Sequence, residues 1–135
     1  MPSALNFTVK TLDGGAFRGS SLFGKAAVVW FWAPWCPACR YEAPNVAAVF
    51  HQYAGKVTFL GLSGNAPADQ ISQVLAANGI TGMPQAIDPD GSAWAGFGVT
   101  AQPAAAFIHP DGRIDVVNGV LGRSDFAAHV AGLLR

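Results

Sequence analysis

Two cysteines, Cys36 and Cys39, stand three positions apart, and the chain has no others. Thiols at that spacing can close a small disulfide ring and reopen it by exchange with another thiol. The stretch before them, Ala26 to Pro34 (AAVVWFWAP), is a run of β-branched and aromatic residues that reads as a buried strand. The run stops at Pro34. Pro37 then suits the first turn of a helix, where a missing N–H costs nothing. Cys36 becomes the N-cap of that helix, with Cys39 one turn inside. A sulfur at an N-cap faces unpaired N–H groups and the positive end of the helix dipole, and both favour thiolate over thiol. The expectation is an exposed, acidic attacking sulfur at Cys36 and a resolving partner at Cys39. The competing reading, a pair of buried structural cysteines, fits poorly with a strand-to-helix junction directly after Trp35.

Other chemistries find little support. A zinc site would need two further Cys or His ligands at suitable spacing, and His51, His109 and His129 are scattered singly, as surface or loop residues. No metal and no cofactor beyond the cysteine pair is expected. Formal net charge is zero and no basic block occurs, so nothing attracts nucleic acid or an anionic membrane. No apolar run is long enough to span a bilayer. The first residues lack a basic stretch followed by an apolar one, so none reads as a signal peptide. That leaves a cytosolic protein or the mature part of an exported one. With 51% hydrophobic and 12% charged residues, the chain is not a disordered one. Its 135 residues read as a single domain (1-135), which would bury roughly two-thirds of its unfolded surface.

The elements around the cysteines follow from pattern. Asn6 to Thr11 alternates as a short edge strand, Asp13-Gly14-Gly15 turns, and Ala16-Phe17-Arg18 can pair back as a hairpin. The helix from Pro37 runs to Gly55 with Val46, Val49, Phe50 and Tyr53 on its inner face, and Pro44 should kink it. Lys56 to Ser63 is a second central strand. Pro67 opens the next helix as its first residue, and Asn78-Gly79 closes it. Gln85 to Asp88 is a short strand and Ser92 to Phe97 a helical turn. Thr100 to Pro103 is a loop leading to a strand, a turn at Pro110-Asp111-Gly112, and a paired strand Arg113 to Val117. Ser124 caps a last helix whose buried face is Phe126, Val130, Leu133 and Leu134. Trp32 and Trp94 read as core.

Strand, Trp-Cys-x-x-Cys, then helix resembles the thioredoxin superfamily. Leu22, Gly24, Lys25, Phe31, Trp32, Ala33, Trp35 and Cys36, together with Cys39-Arg-x-Glu-x-Pro44, resemble its redoxin and TlpA-like branch more specifically. The resemblance covers about Phe7 to Leu134. It implies an α/β fold: a thioredoxin-like three-layer α/β/α sandwich with a central mixed sheet, an N-terminal hairpin and an extra strand–helix insertion. It also implies a cis-proline before the late strand, at Pro103, lying against the cysteines and exposing the backbone of Gln102 to an extended peptide. Trp35, Pro37, Ala38, Ala101, Gln102 and Pro103 would then line the substrate groove, with the loop Gly119 to Gly122 facing it. In thioredoxin a buried aspartate below the second cysteine helps it lose its proton. The matching position here is Trp30. Glu42 is the one acid nearby in sequence; it reads first as a solvated helix residue, and alternatively as a possible proton relay.

The direction of electron flow stays open on the motif. Cys-Pro-x-Cys occurs in the strong oxidant DsbA and in TlpA-like cytochrome c maturation thioredoxins. The missing aspartate and an N-cap thiolate lean toward oxidation, because stabilising the reduced form makes the disulfide a better oxidant. Phe31-Trp32-x-Pro34-Trp35-Cys36-Pro37-x-Cys39 and Gln102-Pro103 are similar to the secreted DsbE/DsbF-like proteins of actinobacteria. That implies a secreted or cell-envelope protein that forms disulfides in exported proteins bearing free thiols. It would be a monomer, recycled by a membrane quinone-linked oxidase, with no membrane insertion of its own. The alternative is a CcmG-like reductase of apocytochrome c thiols. A thiol peroxidase is a third reading, but peroxiredoxins place a Thr three residues before the reactive Cys, where this chain has Ala33. A peptide-binding or redox-sensing domain without turnover is a fourth.

Overall fold

A computed structural model describes residues 1–135. In chain order its strands and helices are β1 (Thr8–Thr11), β2 (Ala16–Arg18), β3 (Ala27–Trp32), α1 (Pro37–Tyr53), β4 (Thr58–Gly64), α2 (Ala68–Ala77), β5 (Gln85–Asp88), α3 (Ser92–Gly96), β6 (Ala104–Ile108), β7 (Ile114–Asn118) and α4 (Arg123–Gly132). Short 3-10 turns at Ser3–Leu5 and Gly19–Leu22 flank the first hairpin.

The AVVWFW run becomes β3, and all six of its residues are buried. A strand covered on both faces needs no polar alternation, which is why its sequence is continuously apolar. It lies inside a seven-stranded sheet of order β2-β1-β5-β4-β3-β6-β7. β3, β4 and β5 run parallel, while β6, β7, β1 and β2 are antiparallel to their neighbours. The crossovers β3-α1-β4 and β4-α2-β5 step in the same direction along the sheet. A constant right-handed crossover therefore puts α1 and α2 on one face. The buried residues agree. Cys39, Val46 and Val49 of α1, Ile71 and Leu75 of α2, and Phe126 and Val130 of α4 form one core with Trp30 and Trp32. Leu5, Leu22 and α3 residues Ala93 and Trp94 form the other with Val29 and Phe31. This is the thioredoxin-like three-layer fold, with the hairpin and the β5–α3 addition in place.

Several boundaries differ from the sequence reading. β1 is not an edge strand: β2 covers one side and β5 pairs with the other, so the edges are β2 and β7. α2 starts at Ala68, with Pro67 as the N-cap residue. Ser124 does not cap α4; Gly122 does, with extended backbone and its carbonyl accepting from the Phe126 N–H at 2.9 Å. Leu134 is 46% exposed, because the helix ends at Gly132 and the four-residue spacing from Val130 no longer holds.

Candidate active site

β3 ends at Trp32, and three residues carry the chain to Cys36, just before α1. Its first turn holds both cysteines, joined as a disulfide with Cα atoms 5.2 Å apart. Cys36 is the N-cap: its backbone is extended, and its Sγ accepts the Cys39 N–H at 3.2 Å. Pro37 occupies the first helical position. One orphan N–H of the helix start is thus aimed at the sulfur, as the spacing implied. The sulfur is less open than expected. Cys36 is 4% exposed and Cys39 fully buried. The reason lies across the groove, where the Gln102 carbonyl oxygen stands 4.0 Å from Cys36 Sγ.

The Gln102–Pro103 peptide is cis. Pro103 is buried, Gln102 half-buried and Ala101 exposed. On the other side of the cysteines Trp35 is 56% exposed, and Pro37 and Ala38 are also exposed. The Arg40 guanidinium donates to the Pro34 carbonyl at 2.9 Å, which ties the Pro34–Trp35 turn to the helix. Gln102, flanked by Ala101 and Pro103, is thus brought against the disulfide that Trp35, Pro37 and Ala38 adjoin in sequence. The largest cavity in the molecule, about 600 Å³, contains none of them; it opens between Asn6–Lys10 and the turn after β5. None of the molecule's cavities includes either cysteine, an arrangement that suits a protein chain better than an enclosed small molecule. No cluster of three or more His, Cys, Asp or Glu is gathered where a metal ion could be held.

Glu42 corrects the first sequence reading. It is not solvated: the residue is 1% exposed, one turn beyond Cys39 on the inner face of α1. Its Oε1 accepts from Trp30 Nε1 at 2.8 Å and its Oε2 from the Leu121 N–H at 2.7 Å. Burial pushes its pKa up, against the pull of the Leu121 and Trp30 hydrogen bonds. The indole N–H of Trp30 thus partners a carboxylate held one helical turn from Cys39. Trp30 stacks on Trp32 with ring centroids 4.7 Å apart, and Trp32 Nε1 donates to Gln85 Oε1 at 3.2 Å. Gln85 Nε2 is buried without a partner, and its side chain fills the space that a Cβ on Gly61 would occupy.

Three residues of this neighbourhood escaped the sequence reading. Gln85 looked like an ordinary strand residue. Arg40 entered only through a motif. Asn45 donates from Nδ2 to the Leu121 carbonyl at 3.3 Å. Its one local signal was helical: it lies three residues after Glu42, on the same side of α1.

Comparison with known proteins agrees with this geometry. The chain is 36% identical over 132 residues to the soluble secreted antigen MPT53 of Mycobacterium tuberculosis, covering 96% of this chain and 75% of that protein. The structure of MTB DsbF in mixed oxidized and reduced forms superposes with a TM-score of 0.93 at 44% identity, covering 98% of each chain. That of a secreted M. tuberculosis disulfide oxidoreductase homologous to E. coli DsbE gives 0.91 at 35% identity, over 98% of this chain and 100% of that one. The AhpC/TSA family model matches residues 2–117. With a disulfide at the mouth of a thioredoxin-like fold and these relatives, the chain is a thiol–disulfide oxidoreductase and belongs to the AhpC/TSA family.

Proposed function

We propose that the chain is an oxidase that passes the Cys36–Cys39 disulfide to exported proteins bearing free thiols. A client thiolate attacks Cys36 Sγ, the Cys36–Cys39 bond breaks, and Cys39 leaves as a thiolate that takes a proton. The client's second thiolate then attacks the client sulfur of the mixed disulfide and expels Cys36. Cys39 ends protonated and Cys36 as its thiolate, and the pair gains the client's two electrons. A quinone-linked membrane oxidase would take them on. Trp35, Pro37, Ala38, Ala101, Gln102 and Pro103 hold the client chain, and Glu42 relays the Cys39 proton. The chain works as one domain and as a monomer, in the cell envelope or outside the cell. No helix is long and apolar enough to cross a membrane.

The observation that carries the oxidase direction is the Cys39 N–H donated to Cys36 Sγ at the start of α1. A contact that favours the Cys36 thiolate stabilises the reduced pair, and a stabilised reduced form makes a stronger oxidant. About 1.4 kcal/mol of such stabilisation raises the potential by roughly 30 mV, within reach of one charge-assisted hydrogen bond.

The test is the reduction potential of the pair, by equilibration with glutathione and tryptophan fluorescence readout. We expect a value well above the roughly −270 mV of thioredoxin, toward the roughly −120 mV of DsbA. A value at or below thioredoxin's would sink the oxidase reading in favour of a reductase.

A further inference from the structure

The loop between β7 and α4 is held from both sides of one peptide residue. The Leu121 N–H donates to Glu42 Oε2 at 2.7 Å, and the Leu121 carbonyl accepts from Asn45 Nδ2 at 3.3 Å. Glu42 and Asn45 are three residues apart on α1, so both reach the loop from one helix face. Two residues before Leu121, the Gly119 N–H donates to the Pro103 carbonyl at 2.8 Å. The loop therefore bridges the cysteine helix and the cis-proline segment. It carries Val120, 41% exposed. A short connection with this many fixed backbone groups is a built wall rather than a slack link.

We infer that Asn45 is a positioning residue for the client chain. With Glu42 it clamps Leu121, and the clamp holds Gly119 to Leu121 as the wall that a client peptide meets beside the Cys36–Cys39 disulfide. The inference rests on the proposed exchange with protein clients, and it assigns Asn45 no contact with the reacting sulfurs. Half-buried asparagine suits the task. Its amide donates without adding a charge beside the Glu42 carboxylate, which a lysine would do. An aspartate at the same place would set an acceptor against the Leu121 carbonyl and a second negative charge one turn from Glu42.

Asn45→Ala and Asn45→Asp test this in the full chain. Initial rates are measured with a reduced peptide containing two cysteines and, separately, with reduced glutathione, which has no chain to lay along the wall. We expect Asn45→Ala to raise KM for the peptide by about three- to tenfold, the worth of one hydrogen bond, with kcat unchanged. Asn45→Asp should raise it further. Glutathione rates and the reduction potential should stay at wild-type values for Asn45→Ala. Unchanged KM for the peptide in both variants would overturn the inference. So would an equal fall in peptide and glutathione rates in Asn45→Ala, because the residue would then act on the cysteine pair and not on the wall. Loss of thermal stability alone, with the KM of the folded fraction unmoved, would leave Asn45 a purely structural group and overturn it too. Wild-type exchange with the peptide separates the two levels: if it is absent, the proposed exchange itself fails; if it is present and KM does not move, only the role of Asn45 does.

Discussion

On one side of β3, Trp30 and Trp32 lie flat on each other and both indole N–H groups end on side chains, Glu42 and Gln85. On the other side Phe31 meets Phe97 and Trp94 edge to face, with centroids 5.2 and 5.8 Å apart, and Phe7 continues the cluster against Phe97. The polar atoms of this second side are spent on the backbone. Trp94 Nε1 donates to the Leu62 carbonyl, and the Asp88 carboxylate accepts the Trp94 N–H. The same six-residue strand thus supports two unlike cores. The one beneath the cysteines keeps a carboxylate in a buried place, at the cost of desolvation and of an orphan amide N–H at Gln85. The one behind it holds the strand by aromatic packing. The difference teaches where stability and chemistry are separable. A change on the Phe31 side should alter how firmly β3 is held, and a change on the Trp30 side should alter what the pair can do.

Phe31→Ala gives the largest expected effect: about 3–5 kcal/mol of lost stability from the cavity left among Phe97 and Trp94. Urea unfolding measures it, and the reduction potential of the folded fraction should not move. A shifted potential would break the separation of the two faces. Trp30→Phe comes next. It keeps the stack but strips Glu42 Oε1 of its donor, for about 1–3 kcal/mol. It should also push the Glu42 pKa further up, since the Trp30 bond is one of the two holding it down. Carboxyl NMR titration would read that movement, and a Glu42 that titrates lower in the variant would contradict it.

The smallest effect is expected from Glu42→Gln, and its sign follows from linkage. Because burial raises the Glu42 pKa in the folded protein, the native state holds this proton to higher pH than the unfolded chain does. Glu42's contribution to stability is therefore complete below the ordinary carboxylate range and is lost as pH rises through the raised value. Wild-type unfolding free energy should decline over that window toward neutral pH, and Glu42→Gln should flatten the decline. Urea midpoints of both proteins across the window check it. Parallel curves would mean that Glu42 is not the group responsible.

Much of this molecule is determined by neighbours in sequence. The apolar run before Pro34 must be a doubly covered strand, Pro37 must open a helix, and Cys36 between them must be its N-cap. Each follows from the local requirements of backbone hydrogen bonding and of proline. The resemblance carried by those residues placed the cis-proline at Pro103, on a segment far along the chain. Tertiary structure alone decided the fate of Glu42. Its charged type and helical position suit solvent, and only the arrival of the Trp30 indole and of the Leu121 N–H, 79 residues away, makes a buried carboxylate tenable. The same holds for Asn45, whose partner lies 76 residues off, for Gln85, which fits because Gly61 has no side chain, and for β1, whose interior place depends on β5. Local propensity describes what a residue can do with its own backbone. Burial of a polar group depends on which distant donors the folded chain brings to it, and no short window of sequence contains them.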